Sequence, residues 1–439
     1  MFLNISENQK QKIQLIVKLY KKKLFIEALT IVKSIIQENP NISIVYNLGG
    51  IINIDLEKYD DALLFFSKAI NLNPNFAEAN NNMGATLKSI GRFKDSIKYF
   101  KNAIKNNSAY ANAFNNLGSA LNELGEWDAA INNYNIALKI IPSHNDAYNN
   151  LIKLLTFYDP GVSNLNQIVK INSLLLSNKF NFNQNKLIQD SEIINFFKKL
   201  KKIISDSLDN NNFNLSQIYR RNTIDLNCTR HFKVFNSFNV IPKYCFSCYK
   251  IQVEPKNITD LLKLYIVFDK LKLKNNNTRK CFTELRPNIN GVYKGLIYCT
   301  GIEEAEKIVK EISPIIETTI NSKTKILIKR GCSEFEASYP EFKKTNNLMK
   351  YNKEWKEKEE IIDSELKYKK KEKIFKDSLF GTTINDVLIM QNWLMYAKKV
   401  GDLNYRKFDD KTIISNYMEN ELSSQLFHRK KEFIKISSN

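Results

Sequence analysis

The sequence predicts a multidomain α+β protein: an all-α repeat superhelix at the N-terminus, an α+β domain in the middle, then charged and amphipathic C-terminal helices. Three observations carry that prediction. A 34-residue spacing recurs before residue 145, strand-like alternation starts after residue 245, and a mixed Lys/Glu run follows residue 350. At 439 residues the chain is too long for one ordinary core. The expected domains are 1–158 (four repeats plus a capping helix), 162–222 (a helical connector), 223–342 (the α+β domain, with clustered cysteines) and 343–439 (the C-terminal helices).

The repeat spacing is explicit in Ala28, Ala62, Ser96 and Ala130, and again in Val32, Phe66, Phe100 and Tyr134. Self-similarity at this period marks an array whose units bury their apolar faces against one another. Two copies are clearest: AEANNNMGATLKSIGRFKDSIKYFKNAIKNNS from Ala77 and ANAFNNLGSALNELGEWDAAINNYNIALKIIP from Ala111. In them Gly84 and Gly118 thin the first helix where its partner approaches, and Gly91 and Gly125 supply the turn between helices. Phe93 and Trp127 open the second helices, and Pro40, Pro74 and Pro142 end three of the repeats. These residues resemble the tetratricopeptide repeat family over residues 9–157. The resemblance implies a helix-pair superhelix that binds protein or peptide on its concave face. The first copy departs, with Ile16 at the usual glycine, and the match ends at Asp159-Pro160-Gly161.

In such arrays the first helix of each pair lines the inner face. Asn47, Asn81, Asn115 and Asn149 share one repeat position there, and Asn82, Asn116 and Asn150 occupy the next. A side-chain amide donates and accepts at once, so these seven residues are the candidate contacts for the backbone of an extended peptide. The row resembles the asparagine ladder of the O-linked N-acetylglucosamine transferase repeats, without a recognisable glycosyltransferase domain after it. Asparagine is abundant throughout the chain, which is the competing, compositional explanation.

After the repeats, Leu165, Ile168, Ile171 and Leu175, then Ile193, Phe196, Phe197 and Leu200, read as connector helices. Beyond residue 245 the order of elements is the signal. Tyr249, Ile251 and Val253 alternate with polar residues as a strand, and a helix follows from Asn257 to Leu271. Strands over 280–286 and 292–299 flank a turn near Pro287, Thr300 with Glu303 caps a helix, and 325–329 closes the unit. Phe335, Ala337 and Tyr339 offer a fifth strand. Strand-helix-strand-strand-helix-strand is the ferredoxin-like βαββαβ order. Further on, Lys369-Lys370-Lys371 ends a solvated charged helix, while Thr383 with Asp386 caps an amphipathic helix that Gly401 terminates.

Three chemistries are open for the middle domain. Cys228, His231, Cys245 and Cys248 are ligand types for tetrahedral zinc, the one cofactor suggested, with unconnected buried thiols as the alternative. A redox or nucleophilic cysteine lacks a helix N-terminus or cation in the sequence to stabilise its thiolate. Lys294-Gly295-Leu296-Ile297-Tyr298 resembles a central strand of an RNA-recognition motif, which makes Lys294 and Tyr298 candidate RNA contacts.

The net charge of +20 falls mostly outside the repeats: residues 1–160 hold 17 Lys+Arg against 14 Asp+Glu, leaving +17 for the remainder. Of the basic residues 57 are Lys and 9 are Arg, which favours compositional drift over selected phosphate forks. No secretory pattern is read in Met1–Lys23, and no membrane partner is expected. Six cysteines in a cytoplasmic chain should be reduced. The reading at this level is a cytoplasmic adaptor for a protein or peptide ligand, with RNA binding as the alternative and an enzyme or metal-site protein third.

Overall fold

The computed structural model describes residues 6–161, 166–205, 215–221, 228–286, 289–336, 338–346, 348–365, 377–408 and 416–438. Leu165, Pro287, Ala337 and the Lys369–Lys371 cluster fall outside them. The chain divides into two compact units, the first running to Leu151 and the second starting at Ile152.

The first unit is a row of helix pairs: α1 (Glu7–Lys21) with α2 (Phe25–Glu38), α3 (Ser43–Asp55) with α4 (Tyr59–Leu72), α5 (Ala77–Ser89) with α6 (Phe93–Asn106), and α7 (Ala111–Glu123) with α8 (Trp127–Ile140). Helix α9 (Asn145–Leu154) starts there as an unpaired first helix. Three of the four pairs close with a large ring lying on a glycine, the exception being α1–α2, where Ile16 takes that position. A Cβ on Gly50 would stand 2.5 Å from Phe66, one on Gly84 2.7 Å from Phe100, and one on Gly118 2.8 Å from Tyr134. Small Ala62, Ser96 and Ala130 are fully buried beside them.

The turn inside every pair uses one left-handed residue, at φ 60° in Lys23, 57° in Glu57, 86° in Gly91 and 81° in Gly125. Two of the four therefore carry a side chain in a conformation that strains it. Two glycine exchanges thus have opposite signs. Glu57→Gly should stabilise the array by roughly 0.5 kcal/mol, whereas Gly84→Ala should cost roughly 1–3 kcal/mol by overpacking against Phe100. Urea denaturation followed by helical circular dichroism measures both.

The second unit opens with α10 (Gln167–Ser177), α11 (Asp190–Ser205), β1 (Gln217–Arg220) and α12 (Cys228–Phe238). It continues through β2 (Tyr249–Glu254), α13 (Ile258–Lys270), β3 (Arg279–Thr283), β4 (Tyr293–Cys299), α14 (Ile302–Thr319) and β5 (Lys325–Arg330). The last elements are α15 (Lys353–Glu365), α16 (Ile384–Val400), α17 (Asn416–Ser423) and α18 (Leu426–Ser438). All strand pairings are antiparallel, in the spatial order β1-β3-β4-β2-β5. Helices α13 and α14 cover one face, and Gly295 lets Leu264 and Phe268 of α13 come down onto β4.

Three expectations are corrected. The fifth strand is β1, from the connector, while Ser333–Glu336 is a 3₁₀ turn. Helix α14 is capped by Gly301, not by a Thr300–Glu303 box. Glu304 instead accepts from the Thr300 amide at 2.7 Å and its hydroxyl at 2.9 Å. The connector, the sheet and the C-terminal helices also form one unit, not three, because α16 is buried nearly all round. A helix apolar on so much of its surface needs neighbours on every side. It meets α10, α11, α13, β1 and β3. Its ends are as read from the sequence, with a Thr383/Asp386 capping box and Gly401 at φ 95°.

A buried ionic cluster holds that unit together. Arg220 on β1 donates to Asp386 Oδ2 at 2.5 Å and lies 3.3 Å from Asp269 on α13. Arg221 meets the same Asp269 at 3.0 Å, and the Tyr265 ring packs under the Arg220 guanidinium. Both arginines are 1% exposed and Asp386 is 0% exposed. Each charge is thereby matched inside the fold, which is what makes its burial tolerable.

Candidate functional site

The asparagine rows come together with strict periodicity. Asn82 Nδ2 donates to Asn47 Oδ1, Asn116 Nδ2 to Asn81 Oδ1 and Asn150 Nδ2 to Asn115 Oδ1, each at 3.0 Å. Every bond crosses from one first helix to the next, α3 to α5, α5 to α7 and α7 to α9. The acceptors Asn47, Asn81 and Asn115 are buried, while Asn82, Asn116 and Asn150 are half-buried. Asn149, half-buried, ends the row on α9.

The two rows are therefore mutual partners before they are ligand contacts. The first-row carbonyls are taken up by the neighbouring repeat. Further capacity is used at Asn116, whose Oδ1 accepts from Lys88 Nζ at 3.3 Å, and at Asn81, whose side chain bonds Tyr110. Burial raises the Tyr110 hydroxyl pKa and that bond from Asn81 partly opposes it. The sequence displayed both rows, but an offset of 35 rather than 34 between donor and acceptor shows only when adjacent helices are laid side by side. A double-mutant cycle on Asn81→Ala and Asn116→Ala should give a coupling of roughly 0.5–1.5 kcal/mol in array stability.

The cysteine and histidine candidates come from neighbouring elements, and Cys228, Cys245 and Cys248 are close enough to interact electrostatically. Cys228 opens α12, His231 one turn later stacks on Tyr244 at 5.4 Å, and Cys245 is buried in the 3₁₀ turn Lys243–Phe246 just before Cys248. Among the described residues no group of three or more His, Cys, Asp or Glu side chains is placed to hold a metal ion. Burial pushes the Cys248 thiol up to about 11, against the thiolate form a metal or a nucleophile needs.

Lys294 is corrected as an RNA contact. It is 1% exposed and donates to Glu284 Oε2 at 2.8 Å, so its charge is spent inside the protein. Tyr298 is half-buried on the sheet face away from α13, with Lys250 Nζ 5.3 Å from its ring. Lys250, Lys280 and Lys329 share that face and were missed, because each lies on a different strand and register alone unites them.

The first unit, with helix pairs in tandem and a shared polar row along successive first helices, is a helical-repeat interaction module of the solenoid class. The tetratricopeptide repeat family model matches residues 42–76, 77–110 and 111–144 of this unit. Among solved structures, MamA shares 27% identity over 31% of this chain and 80% of its own, with a TM-score of 0.30. YrrB, described as having an unusual peptide-binding site, shares 22% over 30% of this chain and 68% of its own, at 0.28. The first repeat domain of Spaghetti, bound to an HSP90 peptide, shares 21% over 26% and 89%, at 0.25. No curated protein matches the chain. No described helix is long and apolar enough to cross a membrane.

Proposed function

We propose that the chain is a protein-interaction adaptor whose repeats take an extended peptide along the asparagine rows of α3, α5, α7 and α9. The amide ladder is the observation that carries this reading. It sets polar side chains at one repeat interval along successive first helices. Asn47, Asn115 and Asn149 keep their Nδ2 hydrogens and Asn82 and Asn150 keep their carbonyls, while the Asn116 carbonyl already accepts from Lys88 and one Asn81 hydrogen goes to Tyr110. Such a surface suits a strand-like segment, recognised through its backbone.

For the second unit we read a ferredoxin-like core. The order β3-β4-β2-β5 with α13 and α14 on one face supports it, and β1 is an added edge strand. Six cysteines without a disulfide are in keeping with a reducing, cytoplasmic setting.

The test is a displayed random-peptide library selected on the full chain, with affinities of selected peptides measured by fluorescence anisotropy. Asn115→Ala and Asn149→Ala should each weaken binding by roughly fivefold, the share of one hydrogen bond. Failure to select any peptide, or unchanged affinity in the double variant with its helicity intact, refutes the reading.

A further inference from the structure

The sheet face away from α13 and α14 concentrates positive charge. Register places Tyr219, Lys280, Leu296, Gln252 and Leu327 in one row across it, and Tyr298, Lys250 and Lys329 in the next. Lys294 and the loop residue Arg286 add two more cations. Both of those are matched: Glu284 takes Lys294 at 2.8 Å and Arg286 at 2.7 Å, and Glu334 takes Arg286 at 2.6 Å.

The other three ammonium groups meet no carboxylate among the described residues. Lys250 Nζ contacts Cys332 Sγ at 3.0 Å, Lys329 Nζ contacts Ser333 Oγ at 3.0 Å, and Lys280 Nζ contacts Gln217 Oε1 at 2.9 Å and the Tyr219 hydroxyl at 3.3 Å. Lys280 also stands over the rings of Tyr219, Phe282 and Tyr298 at 5.2, 4.8 and 6.0 Å. Lys250 is 6% exposed, and Lys280 and Lys329 are half-buried. Desolvated cations held side by side without an anion are costly in an empty site and favourable around a negatively charged ligand.

We propose that this face binds a small phosphate-bearing ligand, held by Lys250, Lys280 and Lys329 around the Tyr298 ring. Three ammonium groups match a multiply charged phosphate better than a single carboxylate, which would leave two of them unmatched. A nucleic-acid strand fits less well. Phe282 is 1% exposed and Tyr298 is half-buried, so Tyr219, at 43%, is the one aromatic of the three that is open for stacking.

At Lys250 burial is outweighed by Cys332, Tyr298 and Cys248, which raise its pKa, while Lys280 and Lys329 move the other way. Burial, with Lys250 and Arg286 adding repulsion and Glu284 and Cys332 opposing it, pushes Lys280 down to about 7. Burial, with Lys250, Lys294 and Arg286 against Glu284, pushes Lys329 down to about 8. A bound phosphate favours the charged forms, so binding near pH 8 should take up protons. Affinity should fall as pH rises above that value.

Inorganic pyrophosphate titrated calorimetrically into the full chain tests the site. Lys280→Met and Lys329→Met should each weaken binding by roughly tenfold to a hundredfold. Lys325→Met, the same charge change at an exposed edge position paired with Glu254, should leave it unchanged. Pyrophosphate should also slow alkylation of Cys332 by iodoacetamide, a readout in the wild-type chain that needs no variant. Absence of both binding and protection overturns the proposal. So does an equal loss in Lys325→Met, or salt-sensitive binding of a short single-stranded RNA without any binding of pyrophosphate.

Discussion

Asp386→Ala should remove roughly 3–5 kcal/mol from the stability of the second unit, the range for taking one partner from a buried ion pair. Asp386 has two tasks. Its Oδ2 accepts from Arg220 at 2.5 Å, and from the Thr383 amide and hydroxyl at 2.7 Å each, so it is both a counter-ion and half of the α16 capping box. Burial alone would lower the Arg220 pKa, yet Asp386, Tyr265 and Asp269 together raise it. Without Asp386, a fully buried guanidinium keeps the Gly381 carbonyl and the Tyr265 hydroxyl as acceptors but only Asp269 as a counter-ion, which Arg221 already shares. Thr383→Ala, which removes the cap but keeps the ion pair, should cost about 1 kcal/mol. Urea denaturation followed by tryptophan fluorescence reports it, since Trp393 on α16 is fully buried and donates to the Ser216 carbonyl at 2.7 Å. Equal effects of the two variants would show that the ion pair contributes nothing beyond the cap.

Glu284→Gln should cost about 3 kcal/mol at neutral pH, and the cost should vanish in acid. Burial opposes ionisation of this carboxyl, but the Arg286 fork and Lys294 overcome it and hold its pKa at about 2, below the ordinary 4.5. A carboxylate with a lowered folded pKa contributes stability above about pH 4.5 and loses it as pH falls toward 2. The wild-type and Glu284→Gln denaturation midpoints should therefore differ at pH 7 and converge between about pH 4.5 and 2. A pH-independent gap would mean that shape, not charge, makes Glu284 matter.

The repeat unit was largely legible because its contacts are local. A period of 34 residues returns each residue type to an equivalent position, and Gly84 against Phe100, or Gly118 against Tyr134, are partners separated by one helix hairpin. The asparagines were legible as rows, though not as each other's partners. In the second unit the βαββαβ order of elements was readable from alternation and caps, but two features escaped. Strand β1 is only four residues long and follows no periodic signal. Arg220 and Arg221 look like surface residues in sequence, yet they meet Asp269 and Asp386 across long sequence separations.

The sequence by itself determined the helix-pair array, its glycine-thinned contacts, the caps of α16 and the alternation that makes the sheet. All of these depend on spacing within one or two elements. Tertiary structure alone decided that the asparagine rows pair across repeats, that Lys294 is neutralised while Lys250, Lys280 and Lys329 are gathered without carboxylates, and that the elements from α10 to α18 fall in one compact unit. Those outcomes depend on strand register and on which buried charges find partners, and neither is written in the spacing of residues along the chain.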